Sequence, residues 1–164
     1  MQRTFGSQTC LPERLVMTIR RMEEKDVDAV TSLEAACFHD PWPKNQIEYE
    51  IKENPCSVIL VAEEDGRIVG YIDFMITFDS ATINRVCVLP SFRRKGLGLQ
   101  LLEEMKKICK EQKDEVCWIT LEVRASNEAA IRCYEKNGYE RITVKRHYYS
   151  DGEDAIYMVR SIVL

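Results

Sequence analysis

The sequence predicts an α/β domain built on a mixed sheet, and two observations support this. Segments whose apolar residues alternate with polar ones are interspersed with segments of helical periodicity, in the order β-α-α-β-β-β-α-β-α-β-β. The chain of 164 residues, 45% apolar and 30% charged, has the size and composition of one globular domain, without a repeat or a flexible linker. Residues 1–16 have no clear periodicity, so we expect an N-terminal extension over 1–16 and a domain over 17–164.

The first elements are a strand and two helices. Val16–Met22 alternates polar and apolar residues, as strands do. Lys25–Cys37 has apolar residues at helical spacing, which predicts a helix. Two prolines, Pro41 and Pro43, then break the chain before a second short helix over Asn45–Lys52.

Three strands are predicted next. Ser57–Ala62 and Ile68–Phe78 are rich in β-branched and aromatic residues, and the Asp65-Gly66 turn between them indicates a hairpin. Ala81–Leu89 predicts a further strand that ends where Pro90 follows.

The second half alternates helices and strands. Gly96–Gln112 has one apolar face and predicts a helix, and Val116–Val123 predicts a buried strand. Asn127–Asn137 predicts a helix that stops at Gly138. The last two predicted strands, joined by a Ser-Asp-Gly turn, are Glu140–Tyr148 and Glu153–Ile162.

A basic turn with two glycines joins the strand before Pro90 to the following helix. Gly96 and Gly98 let the backbone approach a ligand, and the first amides of the helix are free to bind an anion. Three neighbouring cations, Arg93, Arg94 and Lys95, favour a phosphate or pyrophosphate over a plain structural turn. The P-loop and dinucleotide glycine patterns are both absent.

Three polar residues in the following strand and helix are candidates for chemistry. Glu122 lies in an otherwise apolar strand, where a carboxylate is either exposed, paired or functional. Tyr134 on the next helix serves either core packing or chemistry, and Asn127 is also a natural helix N-cap.

Four segments together resemble the GNAT family of N-acetyltransferases. Arg93-x-x-Gly96-x-Gly98 matches the family's Arg/Gln-x-x-Gly-x-Gly/Ala motif, and the stretch from Leu121 to Tyr139 is similar to its protein-acetylating members. The segments 38–42 and 148–155 agree with the same members. Across about residues 17–160, the resemblance is strongest to bacterial ribosomal-protein alanine N-acetyltransferases (RimI type).

This resemblance implies a central, mostly antiparallel twisted sheet flanked by helices, and direct acetyl transfer from acetyl-coenzyme A to a protein's α-amino group. By the family pattern Glu122 is the general base, acting directly or through a water, and Tyr134 is the general acid. No metal is implied. The residues that the resemblance assigns to the cofactor are Val86, Cys87, Val88, Arg93, Arg94, Lys95, Gly96, Leu97, Gly98, Leu99 and Asn127.

Charge divides the chain in two. The segment 23–65 has twelve acidic and three basic residues, whereas the segment 93–113 has seven basic and three acidic ones. Most of these side chains are expected to be solvated, but an acidic flank would also favour a cationic amine acceptor such as a ribosomal protein tail. A net charge of −4 argues against direct nucleic-acid binding.

Other features of the sequence bear on location and assembly. Seven scattered cysteines and the absence of a long apolar run predict a reduced cytoplasmic protein that binds no membrane. We expect a monomer or a weak dimer.

Two alternatives to protein N-terminal acetylation stay open. One is a GNAT enzyme that acetylates a small amine, a polyamine or an aminoglycoside, and the other is a non-catalytic acyl-coenzyme A binding module. A covalent route through Cys87 or Cys133 is disfavoured because neither has an evident base in the sequence.

Overall fold

The computed structural model describes residues 17–163, which contain all the predicted elements in the predicted order. The predicted extension over residues 1–16 lies outside the described residues. The strands are β1 (Met17–Arg21), β2 (Ser57–Glu64), β3 (Arg67–Thr77), β4 (Ser80–Val88), β5 (Trp118–Arg124), β6 (Glu140–Lys145) and β7 (Ala155–Ser161). The helices are α1 (Val27–Cys37), α2 (Lys44–Lys52), α3 (Leu97–Lys110) and α4 (Glu128–Lys136), with 3-10 turns at Glu24–Asp26 and Pro90–Phe92.

The strands form one mixed sheet in the order β1-β2-β3-β4-β5-β7-β6. The contact between β4 and β5 is parallel, and all other neighbouring strands in this sheet are antiparallel. The prediction of a mixed, mostly antiparallel sheet flanked by helices is therefore confirmed.

A bulge in β4 opens the sheet at its centre. Ile83 pairs with Phe74 and Arg85 pairs with Asp73, so Asn84 is an extra residue that bends the strand. The parallel pairing of β4 with β5 ends at Ile83 and Leu121. We call the resulting gap, between residues 85–88 of β4 and residues 122–124 of β5, the fork.

Helices cover the two faces of the sheet unequally. Helices α3 and α4 pack on one face, where Leu101, Met105 and Ile131 are buried among strand residues. On the other face α1 and α2 bury Val30 and Ile47 against β2 and β3. Each such side chain contributes roughly 1.5–3 kcal/mol when it is fully buried. These two layers hold the strands that form the fork.

The last two strands are shorter than predicted. The strand predicted over Glu140–Tyr148 ends at Lys145, and the one predicted over Glu153–Ile162 begins at Ala155. His147 adopts a φ of +50°, and the Asp154 carboxylate accepts a hydrogen bond of 2.9 Å from its backbone N–H. The Asp154 side chain therefore takes the place of a partner strand in pairing the His147 backbone, and the two strands end here. Residues 146–154 connect them, and we call this segment the β6–β7 loop.

The helices of residues 17–163 are all too short or too polar to cross a lipid bilayer.

Candidate active site

The β4 side of the fork has no partner strand beyond Ile83. The amide N–H of Leu89 donates to the carbonyl of Val69 on β3. Because backbone groups alternate in direction along a strand, those of Cys87 also point toward β3, whereas those of Val86 and Val88 point into the fork. The fork therefore offers a strand edge to an extended ligand at Val86 and Val88, while the Cys87 backbone is directed away.

The basic loop lies at the end of this edge. Gly96 caps α3 with a φ of +78°, and Arg94 adopts a φ of +63°. Because the cap is a glycine, no side chain covers the first amides of the helix, which is the geometry of an anion site. Arg93, Arg94 and Lys95 are all exposed, and Arg93 Nε also donates to the Val88 carbonyl at 2.9 Å. All three predicted cations are thus open to solvent, and Arg93 also holds the end of the strand.

Glu122 lies on the β5 side of the fork. Its side chain is 17% exposed, on the face of the sheet opposite to buried Leu121 and Val123. The Lys145 ammonium donates to its Oε1 at 2.6 Å, and this bond raises the pKa of Lys145. The carboxylate is therefore held in place by a neighbouring cation at the opening of the sheet.

Tyr134 lies on α4, across the sheet from Glu122. Its ring is buried and packs edge-on against the ring of Tyr139 at 5.5 Å. Burial raises the pKa of Tyr134 well above its ordinary value, with smaller contributions from Cys133 and Tyr149. A phenol with this pKa keeps its proton at neutral pH, as a general acid requires.

The β6–β7 loop brings two further tyrosines toward this region. Arg124 on β5 forms ion pairs with Asp151 at 2.8 Å and Glu153 at 3.0 Å, and its guanidinium stacks 4.1 Å above the Tyr149 ring. Burial raises the pKa of Tyr149 to about 12. Tyr148 is half exposed, with its ring 5.5 Å from the Lys145 ammonium. The loop is thus anchored to the strand that carries Glu122.

Asn127 and the cysteines have structural partners of their own. The Asn127 side chain accepts a hydrogen bond from the Ala130 amide at 3.2 Å and caps α4. Hydrogen bonding to Cys37, together with burial, raises the pKa of Cys87, so its thiol is a poor nucleophile. Cys133 is exposed on the outer part of α4.

Three carboxylates of the acidic segment are buried. Asp26 pairs with Arg20 at 2.7 Å, Glu34 is fully buried, and Glu50 accepts hydrogen bonds from Gln46 at 2.8 Å and Asn54 at 2.7 Å. The expected acidic flank is therefore smaller than the charge count suggests, because these three side chains are enclosed by the fold. Within residues 17–163, no group of three His, Cys, Asp or Glu side chains is arranged to hold a metal ion.

Lys145 and Arg124 are site residues that the sequence reasoning missed. Lys145 lies on β6, which is not a direct neighbour of β5, and it reaches Glu122 past Tyr157 of β7. Sequence spacing does not fix this register across three strands. Arg124 follows Glu122 at the two-residue spacing that puts side chains on one face, and that spacing is a signal that could have identified it.

Comparison with known proteins identifies the family. The model of the acetyltransferase (GNAT) family matches residues 27–139. The chain belongs to this family. The GNAT resemblance predicted from the motifs is thereby confirmed.

Individual GNAT proteins match most of the chain. A Bacillus subtilis (strain 168) protein provisionally named a ribosomal protein bS18-alanine N-acetyltransferase is 37% identical over 141 residues, 85% of this chain and 92% of its own. An N-alpha-acetyltransferase of Sulfurisphaera tokodaii is 34% identical over 154 residues, 85% of this chain and 90% of its own. The crystal structure of the ribosomal-protein-S18-alanine N-acetyltransferase from Escherichia coli matches with a TM-score of 0.79 and 31% identity, covering 91% of this chain and 96% of that one.

Proposed function

We propose that the protein transfers the acetyl group of acetyl-coenzyme A to the α-amino group of a protein N-terminus, with the N-terminal alanine of a ribosomal protein as the acceptor. The observation that carries this proposal is Glu122 beside Lys145 at the mouth of the fork, with a protonated Tyr134 across the sheet. Relatives that cover most of the chain are named for this reaction, which supports the choice of acceptor.

The cofactor fits the fork and the basic loop. The strand edge at Val86 and Val88, which has no partner strand, suits an extended amide-containing arm, and the uncovered amides that follow Gly96 suit a pyrophosphate. Arg94 and Lys95 add positive charge next to these amides. Acetyl-coenzyme A supplies the activated acetyl thioester. The Cys87 backbone points toward β3 and its buried side chain packs with residues of α1 and α2, so we assign Cys87 no contact with the cofactor.

Glu122 and Tyr134 divide the proton transfers between them. An α-amino group has a pKa of about 7.7–8.0, so a large part of it is protonated at neutral pH and must lose a proton before it attacks. The Glu122 carboxylate accepts that proton at an Oε atom, directly or through a water. The Tyr134 hydroxyl donates a proton to the departing sulfur, and its raised pKa keeps that proton available.

An acceptor chain has a path to Glu122 between two loops. One is the connection from α1 to α2, residues 38–43, and the other is the β6–β7 loop with its half-exposed Tyr148. A protein tail would lie between them, with its terminal amine next to Glu122.

An acceptor panel tests the proposal. The protein is incubated with acetyl-coenzyme A and, separately, an alanine-terminated ribosomal-type peptide, the same peptide with a blocked N-terminus and a free lysine, spermidine, and an aminoglycoside. We expect thiol release only with the free N-terminus. The peptide product should then be heavier by about 42 Da, the mass added by one acetyl group. Turnover only with spermidine or the aminoglycoside contradicts the proposal and supports a small-amine enzyme. Cofactor binding without any turnover supports a non-catalytic module.

A further inference from the structure

Arg85 has an unusual position for a charged side chain. It follows the bulge residue of β4, and its side chain is only 17% exposed. The guanidinium lies 4.4 Å from the centre of the Phe38 ring and 4.9 Å from that of the Trp42 ring. One of its terminal nitrogens donates to the backbone carbonyl of Asp40 at 2.8 Å. Arg85 therefore contacts three residues of the connection between α1 and α2, residues 38–43, which we call the acceptor loop.

The charge of Arg85 is matched by a buried carboxylate at the end of α1. Glu34 is fully buried, and its Oε1 lies 3.4 Å from Arg85 Nε. Glu34 also accepts hydrogen bonds from the Trp42 amide, at 2.8 Å, and from the Tyr71 hydroxyl. Since a buried carboxylate is stable only when it is paired and hydrogen-bonded, Glu34 and Arg85 depend on each other. Together they tie both the backbone and the aromatic side chains of the acceptor loop to the sheet.

The acceptor loop also reaches the other side of the fork. The Asp40 carboxylate accepts a hydrogen bond of 2.8 Å from the hydroxyl of Ser150 in the β6–β7 loop. Arg85 holds the backbone carbonyl of this same Asp40. Asp40 therefore joins the two loops that border the fork, and Arg85, on the strand that carries the Val86 and Val88 edge, holds Asp40 in place.

We propose that Arg85 is a positioning residue for a polypeptide acceptor. It acts through the acceptor loop, whose place beside the fork it fixes, and it does not contact the reacting atoms. This inference rests on the proposed function and adds to it the residue that makes the enzyme prefer a chain over a free amine. An acceptor too short to reach the acceptor loop gains nothing from Arg85, whereas a chain of several residues lies against the loop.

Acceptor length separates this role from a general structural one. The acceptors are alaninamide and an alanine-terminated hexapeptide, and the proteins are the full-length wild type, Arg85→Met and Arg85→Lys. The control is Arg20→Met, because Arg20 is similarly enclosed, 23% exposed, and also forms ion pairs, with Asp26 at 2.7 Å and Glu63 at 3.0 Å, but on β1. The readout is the ratio of kcat/KM for the hexapeptide to kcat/KM for alaninamide. This ratio does not depend on the fraction of the protein that is folded.

We expect Arg85→Met to lower this ratio by roughly tenfold through a higher peptide KM, with kcat and the KM for acetyl-coenzyme A changed by less than about twofold. Arg85→Lys keeps the charge beside Glu34 but cannot reach Asp40 and both rings at once, so it restores part of the ratio. Arg20→Met leaves the ratio at the wild-type value.

Three results overturn the inference. An unchanged ratio in Arg85→Met refutes it while leaving the proposed function standing, and so does an equal fall of the ratio in Arg20→Met. Wild-type protein that acetylates neither acceptor refutes the proposed function and this inference together.

Discussion

Replacing Asp73 with asparagine should stabilise the protein at neutral and alkaline pH. Asp73 lies on β3 opposite the bulge of β4, and it is fully buried. Its Oδ1 accepts a hydrogen bond of 2.9 Å from the Asn84 side chain, and its Oδ2 accepts one of 3.4 Å from Ser57. Burial raises its pKa from the ordinary 3.8 to about 7, and the nearby carboxylates of Glu50 and Glu34 add to this effect.

The size and sign of the effect follow from this pKa. A carboxyl group whose pKa is raised by folding binds its proton more tightly in the folded state. Its contribution to stability is complete below pH 3.8 and is lost as the pH rises to about 7. A shift of about three pKa units corresponds to roughly 4 kcal/mol. Asparagine avoids this loss, because its oxygen still accepts from Asn84 and its amide can donate to Ser57.

Urea unfolding of both proteins from pH 4 to pH 8.5 measures the effect. The difference in the free energy of unfolding between Asp73→Asn and wild type should rise with pH in favour of the variant, by up to about 4 kcal/mol, and level off above pH 7. Asp151→Asn is the matched control: the pKa of this exposed carboxyl is lowered by hydrogen bonds to Glu153 and Arg124, so its difference from wild type has the opposite sign. A pH-independent difference for Asp73→Asn would refute the reasoning.

Three further predictions concern the site. Tyr134→Phe should lower kcat by roughly a hundredfold or more without changing acetyl-coenzyme A binding, because it removes only the donated proton; an unchanged kcat contradicts the acid role. Asn127→Ala should lower the free energy of unfolding by about 1 kcal/mol by removing the α4 cap, whereas Asn127→Ser keeps the cap. If Asn127 also contacts the cofactor, Asn127→Ser should raise the KM for acetyl-coenzyme A; an unchanged KM contradicts that contact. Gly70→Ala should raise that KM and destabilise the protein by about 1–3 kcal/mol, since its new Cβ would lie 3.0 Å from the Cys87 carbonyl and displace β4; wild-type behaviour in titrations and urea melts contradicts this.

The order of the elements was predictable from the sequence because each has a clear local pattern. Alternation, apolar stripes and a Gly stop at position 138 were enough to locate the strands and helices, and Gly96 took its predicted place at the start of α3. The strand ends near the β6–β7 loop were not predictable, since the Asp154 side chain ends the ladder there through a hydrogen bond to His147. Such a bond leaves no periodic signal in the sequence.

The candidate site was predictable where its residues are adjacent in sequence and not where distant strands meet. The basic loop, and the face of β5 on which Glu122 lies, follow from local spacing. The pairing of Glu122 with Lys145 depends on the order β5-β7-β6, and the pairing of Glu34 with Arg85 depends on α1 packing over a bulged strand. Both pairs join residues far apart in the chain, so the charge count assigned Glu34 to a solvated flank although it is buried.

The most direct test of the account is the activity of Glu122→Gln on an alanine-terminated peptide. Glutamine keeps an oxygen that can accept the Lys145 hydrogen bond, so the fold and cofactor affinity should stay at wild-type values while the base is removed. The account predicts that kcat/KM falls by about 10²–10⁴-fold, the usual contribution of a general base, while Glu128→Gln, at an exposed glutamate of α4, stays within about twofold of wild type. Full peptide acetylation by Glu122→Gln would contradict the central claim that Glu122 takes the proton of the acceptor amine.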